Sequence, residues 1–261
     1  MRRLREAAAM SQGQLGERVF CSGSYIGMFE AAERRPQLDM SRVFDELLGS
    51  GEHLQRLCRL ARTSRVAGYF ADAAELQMRA TSISEFAPML VPGLLQTEAY
   101  ARALTRASHP FAAADVVDGH VRARRERARL LDAPAAPVLW VILHEAALRV
   151  PVGGAVVMAE QLGHLARRAR SLPGVVLQVL PFSAGVHPLL NTSVTLMRFG
   201  DAPGAVYTET AYSGELIDDA AVVDRFHTAY DLARAAALST EASLDLVESA
   251  EKDHATDTHG T

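Results

Sequence analysis

The spacing of apolar residues changes near Pro134 and Pro137, and that change divides the chain into two kinds of structure. Before it, apolar residues recur three and four positions apart, as on the buried face of a helix. After it, Val138-Leu139-Trp140-Val141-Ile142-Leu143 and Val175-Val176-Leu177-Gln178-Val179-Leu180 are short, β-rich runs that suit buried strands. Between them Gly153-Gly154 precedes a predicted helix over about 155–171. Two more strands are expected at 193–199 and 205–211, turning through Asp201-Ala202-Pro203-Gly204. Helices over about 219–237 and 240–250 close the pattern. The expected fold class is a mainly α head joined to a larger α+β body with a small sheet of about four strands.

The front of the chain reads as short helices with tight breaks. Residues 2–9 are helical, and Ser11 caps a helix from Gln12 to Val19, with Leu15 and Val19 on one face. After a break at Phe20 and Cys21, Ser22 caps a helix from Gly23 to Glu30 whose Ile26 and Phe29 point inward. Arg34, Arg35 and Pro36 form an exposed turn, and a fourth helix over about 39–48 stops at Gly49-Ser50-Gly51. Expected boundaries follow: a head over 1–50, a connecting helix over 51–66, a body over 67–250 and a disordered tail over 251–261. Within the body, residues 66–87 read as helical through Phe70, Leu76 and Met78, Thr97 caps a helix to Ala107, and another helix spans about 115–131.

Charge narrows the function. The net charge of -4 excludes a uniformly basic nucleic-acid coat. Residues 1–65 nevertheless hold eleven arginines against eight acidic residues, while the remainder is net acidic. A small basic head on an acidic body suits a nucleic-acid contact confined to one end. No apolar run reaches the roughly 18 residues of a membrane helix, and the N-terminus lacks the apolar stretch of a signal peptide. Two cysteines, Cys21 and Cys58, support neither a disulfide scaffold nor a four-cysteine metal site. A cytoplasmic protein is expected.

Ser11 to Pro36 carries the sharpest motif. It contains Ser11-Gln12 at the start of one helix and Ser24-Tyr25-Ile26-Gly27-Met28-Phe29-Glu30 in the next, ahead of Arg34-Arg35-Pro36. This resembles the helix-turn-helix of the Xre, phage-repressor type. Leu15, Val19, Ile26 and Phe29 would fix two short helices at a steep angle, so that the second enters a major groove about 12 Å wide. Gln12 and Ser22 are candidates to bond phosphate oxygens, and Arg34 and Arg35 to grip the backbone beyond the helix. Gly23, Ser24, Gly27 and Met28 are expected at the base edges, with Ser24 the one hydrogen-bonding side chain among them and Met28 offering apolar contact. Tyr25 would face a phosphate or the interior. The DNA-binding set is therefore Gln12, Ser22, Ser24, Tyr25, Met28, Arg34 and Arg35. Direct readout should be weak, with groove shape and dimer spacing carrying more of the specificity.

A second resemblance covers most of the body. It is carried by Ala80-Thr81-Ser82-Ile83-Ser84-Glu85-Phe86 leading to Val91-Pro92-Gly93-Leu94-Leu95-Gln96-Thr97, by Glu145 to Arg149 with Val152-Gly153-Gly154, and by Gln178 to Gly185 with His187. With the head, these segments are similar to the WhiJ-like, antitoxin-like regulators of Streptomyces and other actinobacteria. The resemblance implies a transcription regulator with a body of uncertain biochemical role, and a possible small protein partner encoded nearby.

The body offers little chemistry of its own. His144-Glu145 lacks the second histidine of a zinc-protease helix. Ser183 and His187 share a loop but no Gly-x-Ser-x-Gly elbow surrounds them. No catalytic residue, metal or cofactor is expected. The long loop from Pro181 to Thr192 is the candidate recognition surface, through Phe182, His187 and Asn191. Arg122, Arg125 and Arg129 share one helical face, either solvated or a docking surface for an acidic partner or a DNA backbone. The expected function is regulation through double-stranded DNA, bound as a homodimer whose body dimerises or senses a partner. The alternative is an antitoxin-like interaction protein with a degenerate head.

Overall fold

Local capping builds the first unit. Ser11 Oγ accepts from Gln14 N while the Gln14 side chain accepts from Ser11 N, a reciprocal capping box that starts α2, Gln12–Arg18, just after α1, Arg2–Ala7. Ser22 starts α3, Gly23–Glu30, by accepting from Tyr25 N. These helices come from a computed structural model that describes residues 1–31, 36, 38–62, 70–200, 202–211 and 213–257. The chain divides into two units, Met1–Gly68 and Tyr69–Thr261.

Leu15, Ile26, Phe29, Phe44 and Leu54 form the core of the first unit, with Val19 and Tyr25 packed at its edge. Phe44 comes from α4, Leu38–Leu48, and Leu54 from α5, His53–Arg62. Asp45 joins those two helices. Its buried carboxylate accepts from Leu54 N at 2.8 Å and Gln55 N at 2.9 Å, the free amides at the start of α5. The helix expected as a connector thus begins inside the head's own core.

The turn between α2 and α3 is strained. Phe20 sits at φ 57 and is 98% exposed, so a bulky side chain holds a left-handed conformation without packing in return. We expect Phe20→Gly to stabilise this unit by about 1 kcal/mol and to raise its melting temperature by about 5 °C, read by circular dichroism. An unchanged or lower midpoint would contradict the strain.

The second unit opens with α6, Ala71–Arg79, and then departs from the helical reading of 66–87. Ala80 is extended and Ser82–Ala87 is strand β1. After a 3-10 turn at Gly93–Leu95 come α7, Glu98–Ser108, and α8, Ala114–Ala128, which runs into a 3-10 turn at Arg129–Asp132. Strand β2 is Val138–His144, followed by the short α9, Ala146–Arg149, and by α10, Ala155–Ser171. Strand β3, Val175–Leu180, precedes β4, Ser193–Arg198, β5, Ala205–Glu209, and β6, Gly214–Ile217. Helices α11, Ala220–Ala236, and α12, Thr240–Asp257, end the described chain.

The sheet has six strands among the described residues, in the order β3-β2-β1-β4-β5-β6, rather than about four. The first three are parallel and the last three antiparallel to their neighbours. Both missed strands have physical reasons. β1 is central but polar at Ser82, Ser84 and Glu85, while Leu76, Ala80, Ile83 and Ala87 keep helical spacing. β6 is a four-residue edge strand without an apolar run.

Each face of the sheet has its own core. Ile83, Leu139, Val141, Leu177 and Met197 pack with Met158, Leu162 and Leu165 of α10 and Val247 and Ala250 of α12. On the other face Phe86, Ile142, Leu180, Val194 and Leu196 pack with Val223, Tyr230 and Ala233 of α11. Order also extends past the predicted tail boundary at 251. α12 continues to Asp257 because His254 is buried and donates from Nε2 to Leu148 O at 2.9 Å, while Asp253 pairs with Arg149. The polar composition of 251–257 reflects a helix anchored on one side.

Candidate nucleic-acid interface

Glu30, at the end of α3, organises the head. Its side chain has no exposure and accepts from Arg5 Nε at 2.7 Å, Arg5 Nη2 at 3.0 Å and Gln12 Nε2 at 2.9 Å. Arg5 also donates to Met10 O. One carboxylate therefore joins α1, α2 and α3. The hydrogen bonds from Arg5 hold the Glu30 carboxyl well down, at about 2, against the opposing effect of burial. This pair fixes the pitch of α3 in the manner of a bidentate guanidinium–carboxylate contact.

The crossing of α2 and α3 is close enough to exclude side chains. A Cβ on Gly16 would lie 2.6 Å from Cys21 O, and one on Gly23 would lie 3.0 Å from Gly13 N. At Gly27 the nearest atom is Gln12 Oε1, 3.4 Å from such a Cβ. Gly23 therefore faces the backbone of α2 rather than a base edge, whereas Gly27 lies beside the Gln12 side chain at ordinary contact distance. What α3 turns outward is the stripe of Ser24 and Met28, both exposed, with Met28 at 38%.

The other predicted contacts separate into outward and inward groups. Ser22 is exposed and caps α3, and its Oγ lies 2.9 Å from Ser24 Oγ, so these two hydroxyls form one polar point. Gln12 is half-buried and donates from Nε2 to Glu30, which ties α2 to α3. Tyr25 packs its ring 4.7 Å from Phe29 and takes the interior of its two expected places. Arg34 and Arg35 lie outside the described residues. The network residues Arg5 and Glu30 escaped sequence reasoning, although an arginine in the first helix and a glutamate closing the third were both visible.

In the body, the loop from Pro181 to Thr192 leaves the C-terminal end of β3 and returns to β4 on the far side of β1. Phe182 is 56% exposed, and its ring lies 5.2 Å from that of His144, the last residue of β2. His187 stacks on His144 at 6.0 Å and meets Phe86 edge-on at 5.1 Å. Glu145 Oε2 accepts from Phe182 N at 3.0 Å and tethers the loop. Burial lowers both imidazoles from the ordinary histidine value, and His144 lowers His187 further. The His187 ring nitrogens are buried with no hydrogen-bond partner among the described residues. Asn191 is exposed and makes no hydrogen bond to this cluster. The structure thus joins Phe182 and His187 and adds His144, while Asn191 stays apart. His144 was seen but tested only against a zinc-protease spacing. Its real partners come from parallel strands whose C-terminal ends meet, where open α/β sheets place their ligands.

Among the described residues no helix is long and apolar enough to cross a membrane. No curated protein and no solved structure matches the chain. The family model described as a helix-turn-helix domain matches residues 1–67, which fits a DNA-binding regulator. A second model, described as a domain of unknown function, DUF5753, matches residues 70–249. The chain therefore belongs to the DUF5753 family and carries that domain behind an N-terminal helix-turn-helix domain.

Proposed function

We propose that the protein is a cytoplasmic transcription regulator of the Xre type, related to the WhiJ-like actinobacterial regulators, and that it has no catalytic activity. It reads the major groove with α3. The observation that carries this reading is the outward stripe of Ser24 and Met28 on a helix locked by Glu30. A thymine methyl is the natural contact for Met28, and the paired Ser22 and Ser24 hydroxyls suit a phosphate or a base edge. Few direct contacts mean that a homodimer on two half-sites, about one helical turn apart, supplies specificity through spacing and groove shape.

The test is selection of bound duplexes from a random pool, followed by fluorescence anisotropy at several salt concentrations. Met28→Asp replaces an apolar contact with a carboxylate inside the negative field of the groove and should weaken binding at least tenfold with the head still folded. Arg34→Ala with Arg35→Ala should lower the salt slope by about two. Equal binding by Met28→Asp, or no duplex selected at low ionic strength, would overturn this reading.

A second reading is favoured by the exposed Phe182, Val186 and Leu190 on the body's long loop. Here the protein acts as an antitoxin-like partner of a small protein docked on that loop, and DNA binding is secondary. Co-purification with a small protein from the native host, lost in Phe182→Ser, would favour it.

A further inference from the structure

The body contains a concave site whose lining residues lie outside the long loop. It is a groove of about 750 Å³ between α7, the 3-10 turn at Gly93–Leu95, α8 and α10, a size typical of small-molecule sites. Arginines reach it from several elements. Arg102 comes from α7, Arg122 and Arg125 from α8, Arg129 from the turn that follows, and Arg168 from α10.

Three of these cations are already neutralised. Arg102 pairs with Glu98 and Asp118, Arg125 with Glu98 at 2.6 Å, and Arg168 with Asp132 at 2.6 Å. Arg122 and Arg129 make no hydrogen bond or close ion pair among the described residues, Arg122 acting on Asp118 only at longer range, and both are exposed at the groove. Arg122 lies in α8 and Arg129 directly follows its last residue, seven positions and about two helical turns further on. His164 supports a positive field there. It is held below its ordinary value by burial first, then by Arg168 and Arg167.

The charge pattern selects among ligands. Glu98, Asp118, Glu126 and Asp132 are interleaved with the arginines. A continuous DNA backbone laid along the groove would meet those carboxylates, which argues against nucleic acid. A compact anion can instead engage Arg122 and Arg129, whose forked guanidinium groups match phosphate oxygens. Glu126, which is exposed and makes no hydrogen bond or ion pair among the described residues, is an acceptor for hydroxyl groups on the same molecule. We propose that this groove binds a small organic phosphate carrying hydroxyl groups, of sugar-phosphate or nucleotide size, through Arg122 and Arg129.

The test is calorimetric titration of ribose 5-phosphate into the full chain at constant ionic strength, with thermal unfolding of the body in parallel. We expect saturable one-to-one binding and a rise in the body's melting temperature that grows with ligand concentration. Arg122→Ala with Arg129→Ala should weaken binding at least tenfold while leaving the ligand-free melting temperature unchanged, since neither side chain holds another. Arg225→Ala, an exposed arginine of α11 away from the groove, should bind as the parent does. No binding, equal binding by the groove variant, or an equal response to sulfate would each overturn the proposal.

Discussion

Replacing Glu30 by Ala should unfold the head and abolish DNA binding while the body stays folded. The substitution strands Arg5, whose side chain is only 10% exposed, without its main counter-ion. It also frees the Gln12 amide that lies against α3. Breaking a buried pair from one side costs about 3–5 kcal/mol, and a unit under about 70 residues rarely has more than that in total. Melting followed by circular dichroism, with proteolysis to locate the unfolded region, should show early loss of residues 1–62 and an unaltered body transition. Arg5→Met with Glu30→Leu, which removes both charges, should recover most of the stability. A loss below about 1 kcal/mol in Glu30→Ala would remove the network from the account.

The same pair sets the acid limit of the head. Glu30 is depressed to about 2 in the folded protein against an ordinary 4.5, chiefly by the Arg5 hydrogen bonds. A depressed carboxyl stabilises fully above its unfolded value and loses that contribution as pH falls toward the folded one. The window is therefore about pH 4.5 to 2, and the amount is up to roughly 3 kcal/mol. The Arg5→Met, Glu30→Leu variant should lack this part of the acid sensitivity.

What the sequence made legible here was mostly local. Ser11 and Ser22 announce their helices because a cap is a contact within three residues. Leu15 and Ile26 are recognisable as core by spacing alone. The direction in which α3 faces is different. It depends on Gly23 meeting Gly13, and on Glu30 meeting Gln12 across 18 residues of sequence. Position within the motif put Gly23 on the wrong side because the crossing geometry was not available. The body repeats the lesson. β2 and β3 were visible as apolar runs buried on both faces. β1 lies between β2 and β4, yet it carries Glu85, a carboxyl pushed up to about 7 by burial and by Glu209 and partly offset by Arg127. A carboxyl in a central strand is tolerated because burial pushes it toward its neutral form, a rise that Arg127 on α8 only partly offsets, and no reading of 82–87 in isolation supplies the burial or the arginine. The His144 cluster was hidden for the same reason, since Phe86 and His144 come from the ends of two strands and Phe182 and His187 from a loop.

Phe86 gives the strongest test of that body. It is fully buried in β1, opposite Ile142 on one side and Val194 on the other. Its ring fills the face covered by α11 and also supports His187 at 5.1 Å. Truncation to Ala removes a complete aromatic side chain from a central strand, where flanking strands cannot collapse into the space, so we expect a loss of about 3–5 kcal/mol from the body alone. Phe86→Leu keeps most of the volume and should cost far less, yet it removes the edge-on contact with His187. The two variants therefore separate the sheet from the loop. In Phe86→Leu the melting temperature of the body should stay near the parent's while the His187 ring proton resonances shift, as the ring current of Phe86 is withdrawn. If 82–87 were helical, Phe86 would share a stripe with Ile83, and Phe86→Ala would leave His187 unaffected. Unmoved His187 resonances in both variants would therefore count against the packing of the loop on β1, and with it against this end of the sheet as a recognition surface.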